Sequence, residues 1–229
     1  MTQRHAASNW TDGLDHYIAP DLARSALLVI DTQVDFCDGG ASPIPGTTAV
    51  LPTIASLLVA YRSAGLPIVH VVRLYEGDDV DLLRRTALLG GAPIVRPGSA
   101  GSQIAPELWP EGAGELDAIS LLAGCVQKVG VCEVVVWKPR WSAFYRTPLD
   151  GHLAGASVTT VVVAGCNYPN CPRATIYDAS ERDYRVLVAS DAMSGLDGWH
   201  LIEAERIGVV HAPSATLVER LEGSLGGRR

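Results

Sequence analysis

No run of apolar residues in this 229-residue sequence reaches the ~18 that a membrane-spanning helix requires, so no membrane partner is expected. The N-terminal stretch to Asp21 has no hydrophobic signal core and reads as an arm over the surface, with the cytoplasm as the expected compartment. Positive charge is scarce as well. Lys and Arg total 18 against 25 Asp and Glu, a formal net charge of -7, which argues against a nucleic-acid partner. Arg73, Arg84, Arg85, Arg96, Arg140 and Arg146 are scattered among acids and form no block. An acidic surface would suit a cationic substrate, but such a balance is common among enzymes and decides little.

Other absences narrow the class further. The five cysteines (Cys37, Cys125, Cys132, Cys166 and Cys171) are an odd number without repeated spacing, so no disulfide framework is expected. Cys166 and Cys171 have no second pair to complete a tetrahedral zinc site, and no metal is expected. No G-x-G-x-x-G follows the first apolar run, which disfavours a nucleotide-binding protein and leaves no cofactor in view. Internal repeats, low-complexity tracts and linkers are missing too. The length suits one domain over 1–229, with an N-terminal arm over 1–24 and a flexible tail over 223–229.

What is present is a series of β-branched apolar runs bounded by turn signals: 25–30, 67–73, 132–138, 158–165 and 184–190. Their continuous rather than alternating apolar character predicts strands buried on both faces, as in a parallel sheet. Helical patterns lie between them. One spans 47–65, with a Thr cap, Pro52 in the first turn and Gly65 as the stop. Others cover 147–156, with Thr147 as cap, 170–183 behind Asn170, and 199–210, which runs into a possible sixth strand. The stretch 90–131 is the least legible, with a helix-like 115–127 among Gly- and Pro-rich loops. Alternating strands and helices predict a three-layer α/β/α sandwich around a mostly parallel, about six-stranded, Rossmann-like sheet.

In such sheets ligands bind beyond the carboxyl ends of the strands, near a switch in strand order. Three predicted strands end on chemistry: the first at Asp31, the third at Lys138, and the fourth at 165–171, which leads into a helix. Cys171 falls at that helix start, where unpaired N–H groups and the dipole favour a thiolate. Taken alone, Cys171 is more simply a small core residue, Asp31 a turn residue and Lys138 a solvated charge. The three together, each ending a strand, favour a nucleophile, a proton acceptor and a neighbouring cation.

Three blocks extend this reading. Residues 30–36, IDTQVDF, resemble D-x-Q-x-D-F; residues 138–150, KPRWSAFYRTPLD, resemble K-x-x-x-S-A-F-x-x-T-x-L; and residues 165–179, GCNYPNCPRATIYDA, resemble G-x-x-T-x-x-C-V-x-x-T-A-x-D-A. The sequence thereby resembles the isochorismatase-like cysteine hydrolases, with a weaker match at 97–108, PGSAGSQIAPEL. Val34, Tyr168 and Pro172 depart from the pattern, and 111–130 is longer than the typical connection.

The resemblance implies hydrolysis of a small-molecule amide, ureide or lactam by Cys171, with Asp31 as base and Lys138 as electrostatic support. It implies an oxyanion hole from the backbone N–H groups of Asn167 and Cys171, a cis peptide at Cys166–Asn167, and a homo-oligomer, dimer or tetramer. Family members that cleave a vinyl ether need no thiol, so vinyl-ether hydrolysis is the alternative, as is a non-catalytic protein with a reactive thiol. Nicotinamidases hold a metal through D-x-H, whereas the corresponding region here has His70 and 78–81, DDVD, so His70 reads as a core histidine. Phe36, Trp137, Trp141, Phe144, Tyr145 and Tyr168 are expected around the pocket, with Phe36, Trp141 and Tyr168 as substrate contacts. Periodicity leaves open whether Arg173 faces the site or solvent.

Overall fold

The computed structural model describes Thr11 and residues 13–226, the side chains of 224–226 excepted. The predicted apolar runs form β1 (Ser25–Ile30), β2 (Ile68–Val72), β4 (Glu133–Trp137), β5 (Thr160–Gly165) and β6 (Arg185–Met193); the others are β3 (Gln127–Lys128) and β7 (Val210–Ala212). The sheet has seven strands in the order β3-β4-β2-β1-β5-β6-β7, all parallel except β3, which pairs antiparallel with β4. The predicted mostly parallel sandwich is therefore correct, with seven strands rather than about six. Two-residue β3 carries no periodicity that could reveal it.

The helices are α1 (Thr47–Ala64), α2 (Leu82–Leu89), α3 (Ala118–Leu122), α4 (Leu149–Gly155), α5 (Cys171–Ser180), α6 (Gly198–Glu205) and α7 (Ser214–Gly226). Leu27 and Val29 of β1 join the core beneath α1 and α7, while Ala26, Leu28 and Ile30 join the core beneath α4, α5 and α6. Burial of both faces is why the strands read as unbroken apolar runs.

Several local expectations shift. Gly65 stops α1 as expected, its left-handed backbone (φ 66°) letting its N–H reach Tyr61 and Arg62. The cap, however, is Gly46, and Pro52 lies beyond the first turn, where its missing N–H costs a helix bond. Thr147 accepts from the N–H of Leu149 at 3.3 Å, and α4 starts one residue after Pro148. Only five residues of 115–127 are helical, and 199–210 is helical only to Glu205. Residues 223–226 belong to α7, while 227–229, like 1–10 and 12, lie outside the described residues.

On the α1 side, His70 of β2 is fully buried, as expected of a core histidine, and Nε2 lies 2.6 Å from Glu133 at the start of β4. Arg62 of α1 closes this group with two bonds to the same carboxylate, at 2.7 and 2.8 Å. Burial alone would raise the Glu133 pKa, but Arg62 and His70 together bring it down to about 2 from 4.5. Its stabilising contribution is thus full above pH 4.5 and is lost as pH falls toward 2. Glu133→Gln is expected to lower stability by about 3 kcal/mol at neutral pH, because the Arg62 guanidinium loses its carboxylate and the buried His70 ring loses its partner. Urea denaturation of both proteins should show that difference shrinking below pH 4.5.

Candidate active site

Four central strands deliver side chains to one end of the sheet. Asp31 follows β1 with φ 53°, a left-handed conformation that Asp tolerates better than most residues. Its N–H donates to Val71 at 2.9 Å, so this residue still belongs to the sheet pairing. Lys138 follows β4 and donates to Val72 in the same way, at 3.0 Å. Its ammonium is completely buried and lies 2.8 Å from Asp31 Oδ2. Such a pair survives burial because each charge supplies the other's partner.

The third component comes from β5. Gly165 (φ 122°) packs flat against β1, where a Cβ would sit 2.2 Å from the Ile30 carbonyl oxygen. The chain then turns through 166–170 and enters α5 with Cys171 as its first residue, behind Asn170, as expected.

The loop after β1 is fixed by its other polar residues. Gln33 donates to the carbonyls of Arg73 (2.7 Å) and Ser102 (2.6 Å) and accepts from the Arg73 N–H (2.7 Å). Asp35 accepts from Val95 (2.6 Å) and Ala41 (3.2 Å). Gly101 passes so close that a Cβ there would lie 2.1 Å from the Asp35 carboxylate. The weaker motif at 97–108 therefore serves to anchor the Asp31 loop.

Arg73, one of the scattered arginines in the sequence, is a fourth member of this group. It follows β2 directly and is 2% exposed. Its guanidinium spans Asp81, 2.9 Å from Nη1 to Oδ2, and the Cys171 sulfur, 3.6 Å from Nη2. Tyr75 also donates to Asp81, at 2.9 Å, while Asp79 pairs with Arg140 and Arg146. The DDVD segment is thus occupied with arginines. No group of three or more His, Cys, Asp and Glu among the described residues is placed to hold a metal ion.

A thiolate was expected from the helix start. Burial pushes the Cys171 thiol up instead, and the Asp31 charge adds to this; Lys138 and Arg73 oppose it without prevailing. The resting sulfur is therefore a thiol beside a carboxylate. Asp31 Oδ1, buried and without a well-formed hydrogen bond, is the open acceptor there. Cys166 is the other thiol at the cavity, and burial drives it up to about 12.

These groups form the floor of a cavity of about 300 Å³. Asp31, Arg73 and Cys171 line it, as do Phe36 and Trp141 among the expected substrate contacts. Asn167 lines it too, and among the described residues neither its N–H nor that of Cys171 has an acceptor. Lys138 sits beneath, reaching the cavity only through Asp31.

Tyr168 is a correction: it is fully buried, its ring 4.8 Å from that of His200, and it does not reach the cavity. Its N–H bonds to Ser194, which turns the side chain into the α6 side of the core. Phe144 stacks on Tyr184 and Trp137 donates to Leu74, so both serve packing. Tyr145 lines an outer groove beside Trp141. Arg173 pairs with Glu203, away from the cavity. The expected cis peptide is also absent, since the described residues contain none. The turn bends instead at Gly165 (φ 122°) and at Asn170 (φ -111°, ψ -102°).

Comparison with known proteins agrees with this architecture. The isochorismatase domain pattern matches residues 25–116 and 122–206. The chain belongs to the isochorismatase family. The interruption at 117–121 falls on α3, inside the segment whose length departs from the usual connection. Among family members, a probable inactive nicotinamidase of Arabidopsis thaliana is 30% identical over 195 residues, covering 81% of this chain and 90% of that one. A ureidoacrylate amidohydrolase of Methylobacterium radiotolerans is 30% identical over 190 residues, covering 76% and 69%. The crystal structure of an isochorismatase family protein from Desulfovibrio vulgaris superposes with a TM-score of 0.73 at 30% identity, covering 87% and 98%.

The electrostatics make a direct prediction. Alkylation of Cys171, followed by mass spectrometry of its peptide, should go on accelerating with pH past 9 before it levels off, because its thiol is raised from that value. Asp31→Asn should shift the inflection down and Arg73→Met should shift it further up.

Proposed function

We propose that this protein hydrolyses a non-peptide C–N bond in a small amide, ureide or lactam through a thioester on Cys171. The observation that carries the reading is the buried grouping of thiol, carboxylate and ammonium at the floor of one cavity.

The steps follow from that grouping. Asp31 accepts the thiol proton as the sulfur attacks the substrate carbonyl, and Lys138 keeps the carboxylate placed. Because the resting thiol is protonated, proton transfer accompanies attack. Arg73, 3.6 Å from the sulfur, stabilises the thiolate as it forms. The carbonyl oxygen becomes negative opposite the unpaired N–H groups of Asn167 and Cys171, donors worth a few kcal/mol each in such a position. The protonated Asp31 then returns its proton to the leaving nitrogen, giving ammonia or an amine and a Cys171 thioester. Water, deprotonated by Asp31, hydrolyses the thioester to the acid and restores the thiol.

The ureidoacrylate amidohydrolase relative supports a C–N bond as the target. Vinyl-ether hydrolysis would leave Cys171 and its polar surroundings without a task, which favours the amide reading. Release of ammonia or amine from a panel of small amides and ureides is the test. Cys171→Ser and Asp31→Asn should each lower kcat/KM by about a thousandfold or more; Cys171→Ser should melt like the parent protein, whereas Asp31→Asn should melt lower because buried Lys138 loses its carboxylate. A mass shift on the Cys171 peptide during turnover should reveal the acyl group. Undiminished turnover by Cys171→Ser would rule out the covalent route.

A further inference from the structure

The cavity side chains do not balance in charge. Lys138 is matched by Asp31 and Arg73 by Asp81. Arg84 of α2 also lines the cavity and has no carboxylate partner among the described residues. Its guanidinium lies over the Phe36 ring, 5.4 Å from the centroid, and Nη1 donates to the Ser42 hydroxyl at 2.8 Å. Both contacts fix the group in place, and neither neutralises it.

Arg73 adds a second feature of the same sign. It is 98% buried from its 2% exposure, and its Nε and Nη1 atoms lack well-formed hydrogen bonds, although Nη1 stays close to Asp81. Both arginines act on Tyr75, another lining residue, so the two cations converge on one wall. The proton transfer from thiol to Asp31 moves charge within the cavity without changing its sum. One positive charge therefore remains throughout.

We propose that the substrate is an anion: a small amide or ureide carrying a carboxylate, which Arg84 binds while Cys171 attacks the carbonyl at the other end. A carboxylate suits a guanidinium because its two oxygens match the paired N–H donors. The apolar wall of Phe36, Ile44 and Pro45 would cover the carbon chain between the two ends. A volume of about 300 Å³ limits that chain to a few carbons. This assignment rests on reading the cavity as the amide site. It also reverses the faint preference for a cationic substrate drawn from overall net charge, since the local field at the cavity is positive.

Two measurements test it. The first compares hydrolysis of succinamate with that of butanamide, which keeps the four-carbon amide and lacks the carboxylate oxygens. The parent protein should prefer succinamate by at least about tenfold in kcat/KM, and Arg84→Gln should remove most of that preference. Equal use of the two amides by the parent protein, or an unchanged preference in Arg84→Gln, would overturn the proposal. The second measurement needs no turnover: calorimetric titration of succinate into Cys171→Ala and into Cys171→Ala combined with Arg84→Gln or Arg84→Lys. Succinate should bind the first, bind the Gln variant about tenfold more weakly, and recover in part with Lys, which also controls for folding. Equal binding to all three, or none at millimolar concentration, would overturn the anion site. Succinate binding through Arg84 without hydrolysis of any amide would leave the anion site standing and refute the proposed reaction.

Discussion

A fully buried lysine ammonium is tolerable only while a carboxylate stays beside it, and the Lys138–Asp31 pair sets that condition here. Much of the surrounding construction keeps the two strand ends that carry it in register. Asp31 accepts a left-handed backbone so that its N–H remains paired while its side chain serves the cavity. Gly165 omits a side chain so that β5 can close against β1. Gln33 fastens the Asp31 loop to β2 and to the 100–104 segment. A change at any of these would reach the pair without touching it.

Cys171 shows two physical effects in competition. A helix start lowers a thiol pKa through partial charges on backbone N–H groups, an influence confined to the first turn. Desolvation acts on the whole charge of the thiolate, and a carboxylate alongside adds repulsion. With the sulfur buried and Asp31 adjacent, the second pair of effects wins despite Lys138 and Arg73. A protonated nucleophile next to its own base resists adventitious alkylation and oxidation, since the thiolate is the reactive form.

The sheet and the positions of Asp31, Lys138 and Cys171 are legible because parallel strands buried on both faces leave continuous apolar runs, the first and third leading straight onto a polar residue and the fourth into the turn that carries Cys171. Arg73 obeys the same rule, closing the run 67–73, but spacing along the chain leaves it one arginine among several. Its importance depends on Asp81 and Cys171, which are brought to it only by folding. Tyr168 failed in the opposite sense. Proximity to the nucleophile in sequence suggested a substrate contact, but a turn sends neighbouring residues to different sides, and its ring went into the core. Short β3 and the excess charge of Arg84 have no signature in one dimension, since both are defined by what lies across from them.

The strand order has a consequence for how the protein comes into being. The cavity floor draws on residues after β1, β2, β4 and β5, adjacent in space as β4-β2-β1-β5 but spread from 31 to 171 along the chain. No hairpin joins these four strands; each pairing closes a long crossover, the kind of contact that forms slowly. A partly folded chain therefore lacks not one catalytic group but the whole environment that gives any of them a purpose. During synthesis the sulfur at 171 meets its base only once the strands between residues 31 and 171 have been made and paired. Until then it is an ordinary cysteine.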